Sequence, residues 1–191
     1  MKNSRFISLL NRFLVCLLMN GLFTGCTTLE SRLSIEPYTK NKPMRDELET
    51  VAEAYCRKKR AGPDSVGSEM QPDFIFTTDG CSRWLDDSWA ACCIAHDIAY
   101  WCGGSVQNRQ EADQELRRCV QNKTQVMGSL IYAGTRIGGV PWLPTPWRWG
   151  YGWDDWPRSY EKSQPLPSVK KLMEELKIHD IIEHHLSNSR K

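Results

Sequence analysis

Histidine, carboxylate and cysteine residues recur at helical spacing between Cys81 and Cys119. In Cys92-Cys93-Ile94-Ala95-His96-Asp97-Ile98-Ala99-Tyr100, residues four apart share a helix face. Cys92, His96 and Tyr100 form one stripe, and Cys93 and Asp97 form the next, so His96 and Asp97 address different partners. An imidazole with one nitrogen held by a carboxylate keeps its other nitrogen available as a base near neutral pH. Asp113, six residues before Cys119, is the candidate for that carboxylate. Suppose two helices run antiparallel across Gly103-Gly104. Stepping back from His96 to Cys92 covers about 6 Å of axis, and stepping forward from Asp113 to Cys119 covers about 9 Å in the same spatial direction. A Cys92–Cys119 bridge would then set Asp113 opposite His96. A Cys81–Cys93 bridge would fasten Thr78-Asp79-Gly80-Cys81 beside Asp97. Two carboxylates with loop carbonyls make a hard, all-oxygen site suited to calcium, and Gly80 lets the backbone come close.

These residues need a helical frame. Pro43 suits a helix start, and Leu48, Val51, Ala52 and Tyr55 recur at helical spacing up to a stop near Gly62-Pro63. The pattern predicts a short extended segment over 74–82, a second helix over about 87–101, and a third from the Ser105 cap to about Tyr132. A last helix spans 169–186, with Leu172, Leu176, Ile178, Ile181 and Ile182 partly on one face. Five of the eight tryptophans fall in the aperiodic segment 138–157, which either meets a membrane–water boundary or packs as a loop over the helices. Arg57-Lys58-Lys59-Arg60 reads as a solvated helix C-terminus.

The N-terminus reads as an address. Residues 1–25 carry Lys2, Arg5 and Arg12 ahead of an apolar run that is short for a membrane span. Gly25-Cys26 resembles a lipobox, with Cys26 as the lipidated residue. Residues 26–42 are then a polar tether and 43–191 the folded domain. This order implies an exported protein, lipid-anchored in a bacterial cell envelope and favouring the outer membrane. Removal of the leader turns a formal charge of +2 into about −1, because it takes three basic residues and no acidic one. That balance argues against a nucleic-acid binder. Six cysteines remain: Cys56, Cys81, Cys92, Cys93, Cys102 and Cys119. An even set in an exported chain implies disulfides, with the pairing open. No CxxC pair is present to suggest zinc.

The combination resembles the secreted phospholipases A2. Cys92-Cys93-x-x-His96-Asp97 with Tyr100 is similar to that family's active-site helix. Asp113 with Cys119 is similar to its second helix. Phe74-Ile75-Phe76-Thr77-Thr78-Asp79-Gly80-Cys81 is similar to the calcium segment of its bacterial and fungal branch. The likeness covers about residues 74–120, under a third of the chain. It departs from many animal members at Ala99 and Ala112, where those carry a mutually bonded cysteine pair, and in lacking a Gly-rich calcium loop. The resemblance implies a mainly α fold built on a disulfide-linked antiparallel helix pair, here with extra N- and C-terminal helices. It implies hydrolysis of a glycerophospholipid ester in a phospholipid membrane, with no nucleotide cofactor. His96 is the expected base, Asp113 its orienting carboxylate and Tyr100 a donor to Asp113. Ca2+ is expected on Asp97, Asp79 and the Gly80 carbonyl. Cys56–Cys102 follows by elimination. The alternative is a non-catalytic envelope lipoprotein that binds lipid or protein on the same scaffold.

Overall fold

The computed structural model describes residues 38, 40–61, 71–82, 88–162 and 167–189. The expected leader 1–25, the lipidation residue Cys26 and most of the tether lie outside them. Among the described residues the chain is mainly helical, with no strand. The helices are α1 (Lys42–Arg60), α2 (Ala90–Cys102), α3 (Val106–Gln121), α4 (Gln125–Gly138), α5 (Val169–Glu175) and α6 (Ile178–Ser189). None of them is long and apolar enough to cross a membrane. All belong to the compact unit Ile35–Lys191.

The frame is built around α2. Every residue of this helix is buried, as expected of a helix that is apolar all round. α1, α3 and α6 pack directly against it. Met44, Leu48 and Tyr55 of α1 meet Ile94 and Ile98 of α2 and Ile178 and Ile182 of α6 in one core. A second cluster joins Trp89, Leu116, Val120 and Ile131 around the sulfurs of Cys92 and Cys93. Three disulfides tie these parts together: Cys56–Cys102 between α1 and α2, Cys92–Cys119 between α2 and α3, and Cys81–Cys93 between the segment 71–82 and α2. Gly103 and Gly104, at φ +74° and +134°, make the tight turn that reverses the chain from α2 into α3. Ser105 then caps α3 in a reciprocal pair of hydrogen bonds with Asn108.

Two of the expected helices need correction. The helix predicted from Ser105 to about Tyr132 is two helices. The break falls at 122–124, where Thr124 is extended and the N–H groups of Lys123 and Thr124 both return to the Val120 carbonyl. α4 then folds back on α3 so closely that a Cβ on Gly128 would stand 2.8 Å from the Arg117 carbonyl oxygen. The predicted C-terminal helix also divides, at Lys177 with φ +51°. The segment 74–82 pairs with no strand; its conformation is set by bonds to neighbours, such as Phe74 N–H to the Gly152 carbonyl. In addition, Tyr38, within the stretch read as tether, is buried and donates from its hydroxyl to the Phe76 carbonyl at 2.9 Å.

The Trp-rich segment packs chiefly as a cover over the C-terminus of α2. A helix leaves its last carbonyls without internal partners. Here the N–H groups of Gly150 and Gly152 reach the Tyr100 and Trp101 carbonyls, the Trp153 indole reaches the Cys102 carbonyl, and the Trp149 indole reaches the Gly104 carbonyl. Lys59 completes the set. It is not solvated: at 1% exposure it lies over the Trp149 ring and donates to the Gly103 carbonyl. Burial pulls its pKa down to about 7. The unfolded chain therefore binds the extra proton between about pH 7 and the usual lysine range, so stability should rise with pH across that window. Lys59→Met should flatten the rise in urea-unfolding midpoints measured from pH 7 to 10. Separately, replacing Cys56 and Cys102 together by alanine should lower stability by about 2–4 kcal/mol in the same assay, because the bridge closes a long loop.

Candidate active site

The reversal at Gly103-Gly104 and the Cys92–Cys119 bridge fix the register of α2 against α3. That register places His96 and Tyr100 of α2 against Asp113 of α3. His96 Nε2 lies 2.9 Å from Asp113 Oδ1, and the Tyr100 hydroxyl donates to the same oxygen at 2.7 Å. The Tyr100 ring also lies against the imidazole, with centroids 4.1 Å apart. Asp113 has 0% exposure and His96 only 6%.

Two arginines complete this network, and the sequence reading missed both. Arg136 of α4 donates from Nη1 to Asp113 Oδ2 at 2.7 Å. Arg109 donates from Nε to the Tyr100 hydroxyl at 3.0 Å, and its Nε is 3.9 Å from Asp113 Oδ2. Arg109 stands four residues before Asp113, so helical spacing offered a signal for it. Arg136 arrives from a helix the sequence pattern had merged with α3, and no local spacing points to it. Burial alone would raise the Asp113 carboxyl, but hydrogen bonds from His96, Arg136 and Tyr100 carry it below its ordinary range. Burial, followed by the Asp113 charge, holds the Tyr100 hydroxyl well above its usual value, so it remains a donor. With Asp113 ionised, Nε2–H of His96 donates to it. The other ring nitrogen, Nδ1, stands 4.0 Å from Asp97 Oδ1.

Asp97 and the loop form the adjoining part. Thr78 Oγ1 donates to Asp97 Oδ2 at 2.5 Å and accepts from the Gly80 N–H at 3.0 Å. Gly80 has φ +73°, and Ser82 Oγ donates to Asp79 Oδ1 at 2.9 Å. Asp79 and Asp97 line one cavity of about 140 Å³ together with Thr77, Thr78 and Tyr151. Burial and then the charges of Asp97 and Asp79 keep the Tyr151 hydroxyl protonated, and it donates to the Thr77 carbonyl. Two carboxylates converging on one small cavity are the donor chemistry that a hard cation takes. No group of three or more His, Cys, Asp or Glu side chains able to hold a metal occurs among the described residues. A calcium ion there would draw the rest of its roughly six to eight oxygens from backbone carbonyls and from water; Gly80 lines the neighbouring cavity instead.

A second cavity, of about 200 Å³, is lined by His96, Asp97 and Tyr100 together with apolar Leu116, Ile131 and Trp147. Asp97 and Trp147 line both cavities. His96 lines the larger cavity, and the neighbouring Asp97 is a residue through which that cavity adjoins the acidic one. Cys56 and Cys102 are remote from this arrangement in role, joining α1 to α2. Comparison with protein-family models, with curated proteins and with solved structures finds no match for this chain.

Asp113→Asn should lower stability by about 1–3 kcal/mol, because a buried carboxylate that accepts from His96, Tyr100 and Arg136 is lost. The wild-type carboxyl sits below its usual range when folded, so its contribution is present above that range and lost as pH falls through the depressed value. Unfolding midpoints from neutral pH down to about pH 2 should therefore fall more steeply for the wild type than for Asp113→Asn.

Proposed function

We propose that this protein hydrolyses an ester bond of a glycerophospholipid with the help of calcium, as an exported envelope lipoprotein of phospholipase A2 type anchored through Cys26. The observation that carries the reading is the 2.9 Å contact between His96 Nε2 and a fully buried Asp113, with His96 lining the apolar cavity.

Asp113 accepts Nε2–H and so fixes the tautomer of His96. Nδ1 then takes a proton from a water molecule as that water attacks the ester carbonyl carbon. The imidazolium that forms is stabilised by the Asp113 charge. It returns its proton to the alkoxide oxygen as the acyl–oxygen bond breaks, leaving a fatty acid and a lysophospholipid. Tyr100 holds the second lone pair of Asp113 Oδ1 and keeps the carboxylate from turning. Asp97 and Asp79, with backbone carbonyls, would hold calcium. When bound, the ion supplies Lewis-acid polarisation for a carbonyl oxygen gaining negative charge.

The surface supports a lipid substrate. Ile131, Gly134, Thr135 and Gly138 of α4 line the apolar cavity. On the same helix Val126 and Ile137 are 77% and 76% exposed. An apolar cavity next to exposed apolar side chains on the same helix is what a lipid substrate would call for, and this supports the reading. The second reading, a binding scaffold without catalysis, needs the cysteines but gives no reason for a buried His–Asp–Tyr network.

Fatty acid release from mixed phosphatidylcholine and phosphatidylglycerol vesicles tests the proposal. His96→Gln should fold with wild-type melting behaviour and lose at least 100-fold in rate, roughly the lower limit of what a positioned base contributes. Asp97→Asn should require more calcium to reach its half-maximal rate. A folded His96→Gln protein as active as the wild type would eliminate the assignment.

A further inference from the structure

The network around Asp113 contains a cation that the proposed chemistry does not by itself require. Asp113 Oδ1 receives both neutral donors, His96 and Tyr100. Oδ2 receives its hydrogen bond from Arg136, while the Arg109 Nε stands farther off at 3.9 Å. A carboxylate with no solvent exposure is stable as an anion only with charged or multiple donors around it. Stripped of Arg136, it gains by taking up a proton or by turning about its Cβ–Cγ bond toward another donor. Either change would free Nε2 of His96 from its fixed role.

Arg136 is itself held in place. Arg109 donates from Nη2 to the carbonyls of Thr135 and Arg136, each at 2.8 Å, and from Nη1 to the Tyr160 hydroxyl at 2.8 Å. One buried guanidinium of α3 therefore fastens the last turn of α4, and that turn carries the second guanidinium onto Asp113. The Arg136 side chain is 31% exposed, whereas Asp113 is wholly enclosed. Its position makes it replaceable without opening the core.

We infer that Arg136 is a positioning residue, which clamps Asp113 Oδ2 from α4 and so holds His96 in the orientation its base chemistry needs. Its value for catalysis rests on the hydrolase reading, but the clamp itself does not.

Wild type, Arg136→Met and Arg136→Lys should be compared in two ways. The first is hydrolysis of a short-chain phosphatidylcholine below its micelle concentration. The second is the proton NMR resonance of the His96 Nε2–H, which a strong hydrogen bond to a carboxylate places far downfield. Arg136→Met should melt below the wild type, because the buried Asp113 loses its charged partner, yet remain folded at the assay temperature. It should lose kcat on the order of 10- to 100-fold, with KM within about twofold. Its downfield resonance should shift or vanish. Arg136→Lys should restore most of the rate and the resonance. Arg136→Gln, which keeps a donor without the charge, replaces the Met variant should that one unfold, and the same losses are expected. A folded Arg136→Met or Arg136→Gln protein with wild-type kcat and an unmoved resonance would overturn the inference. If the wild type hydrolyses nothing while the resonance follows the substitutions, the hydrolase reading fails and the clamp stands.

Discussion

A carboxylate sealed from water needs donors around it, and Asp113 draws them from two neighbouring helices. α2 supplies His96 and Tyr100, and α4 supplies Arg136. Its own helix α3 adds Arg109, which holds Tyr100 and the end of α4 in place. Much of the surrounding architecture serves this arrangement. The Cys92–Cys119 bridge fixes the register of α2 and α3. The fold-back of α4 brings its last turn within reach. The Trp-rich segment and Lys59 satisfy the carbonyls at the end of α2, so that this fully enclosed helix does not fray.

The helix pair was legible because its signals are local and repeat. Cys92, His96 and Tyr100 fall on one stripe by counting in fours, and Asp113 and Cys119 follow from the same geometry run in reverse. The loop residues Asp79 and Gly80 could be placed because Cys81 and Cys93 offer a staple on the stripe that holds Asp97. What stayed hidden depends on tertiary packing. Lys59 looks like one member of a basic helix end, yet α1 turns it inward over Trp149. Arg136 lies beyond a break that hydrophobic period alone does not reveal, since the apolar stripe continues across Asn122-Lys123-Thr124. The tryptophans show the same limit. Composition offered a membrane belt or a packed loop, and the choice is made by α2, whose open carbonyls draw Trp149 and Trp153 inward while Trp142 and Trp156 stay half exposed.

The proposed activity draws on this division of labour. Orientation of His96 comes from the rigid helix pair. The acidic cavity comes from a loop held at one end by a disulfide and at the other by Tyr151. The apolar cavity comes largely from α4, the helix that also carries Arg136. Substrate seating and base orientation would thus depend on the same element. Ala99 and Ala112, where many animal phospholipases A2 carry a bridging cysteine pair, are buried in α2 and α3.

The most direct test is product analysis by mass spectrometry after incubating the mature protein with a phospholipid bearing two different acyl chains, with calcium and with a chelator. The account requires equal amounts of free fatty acid and lysophospholipid with calcium, and none with the chelator. Intact phospholipid in both samples, from protein shown to be folded and correctly bridged, would contradict it.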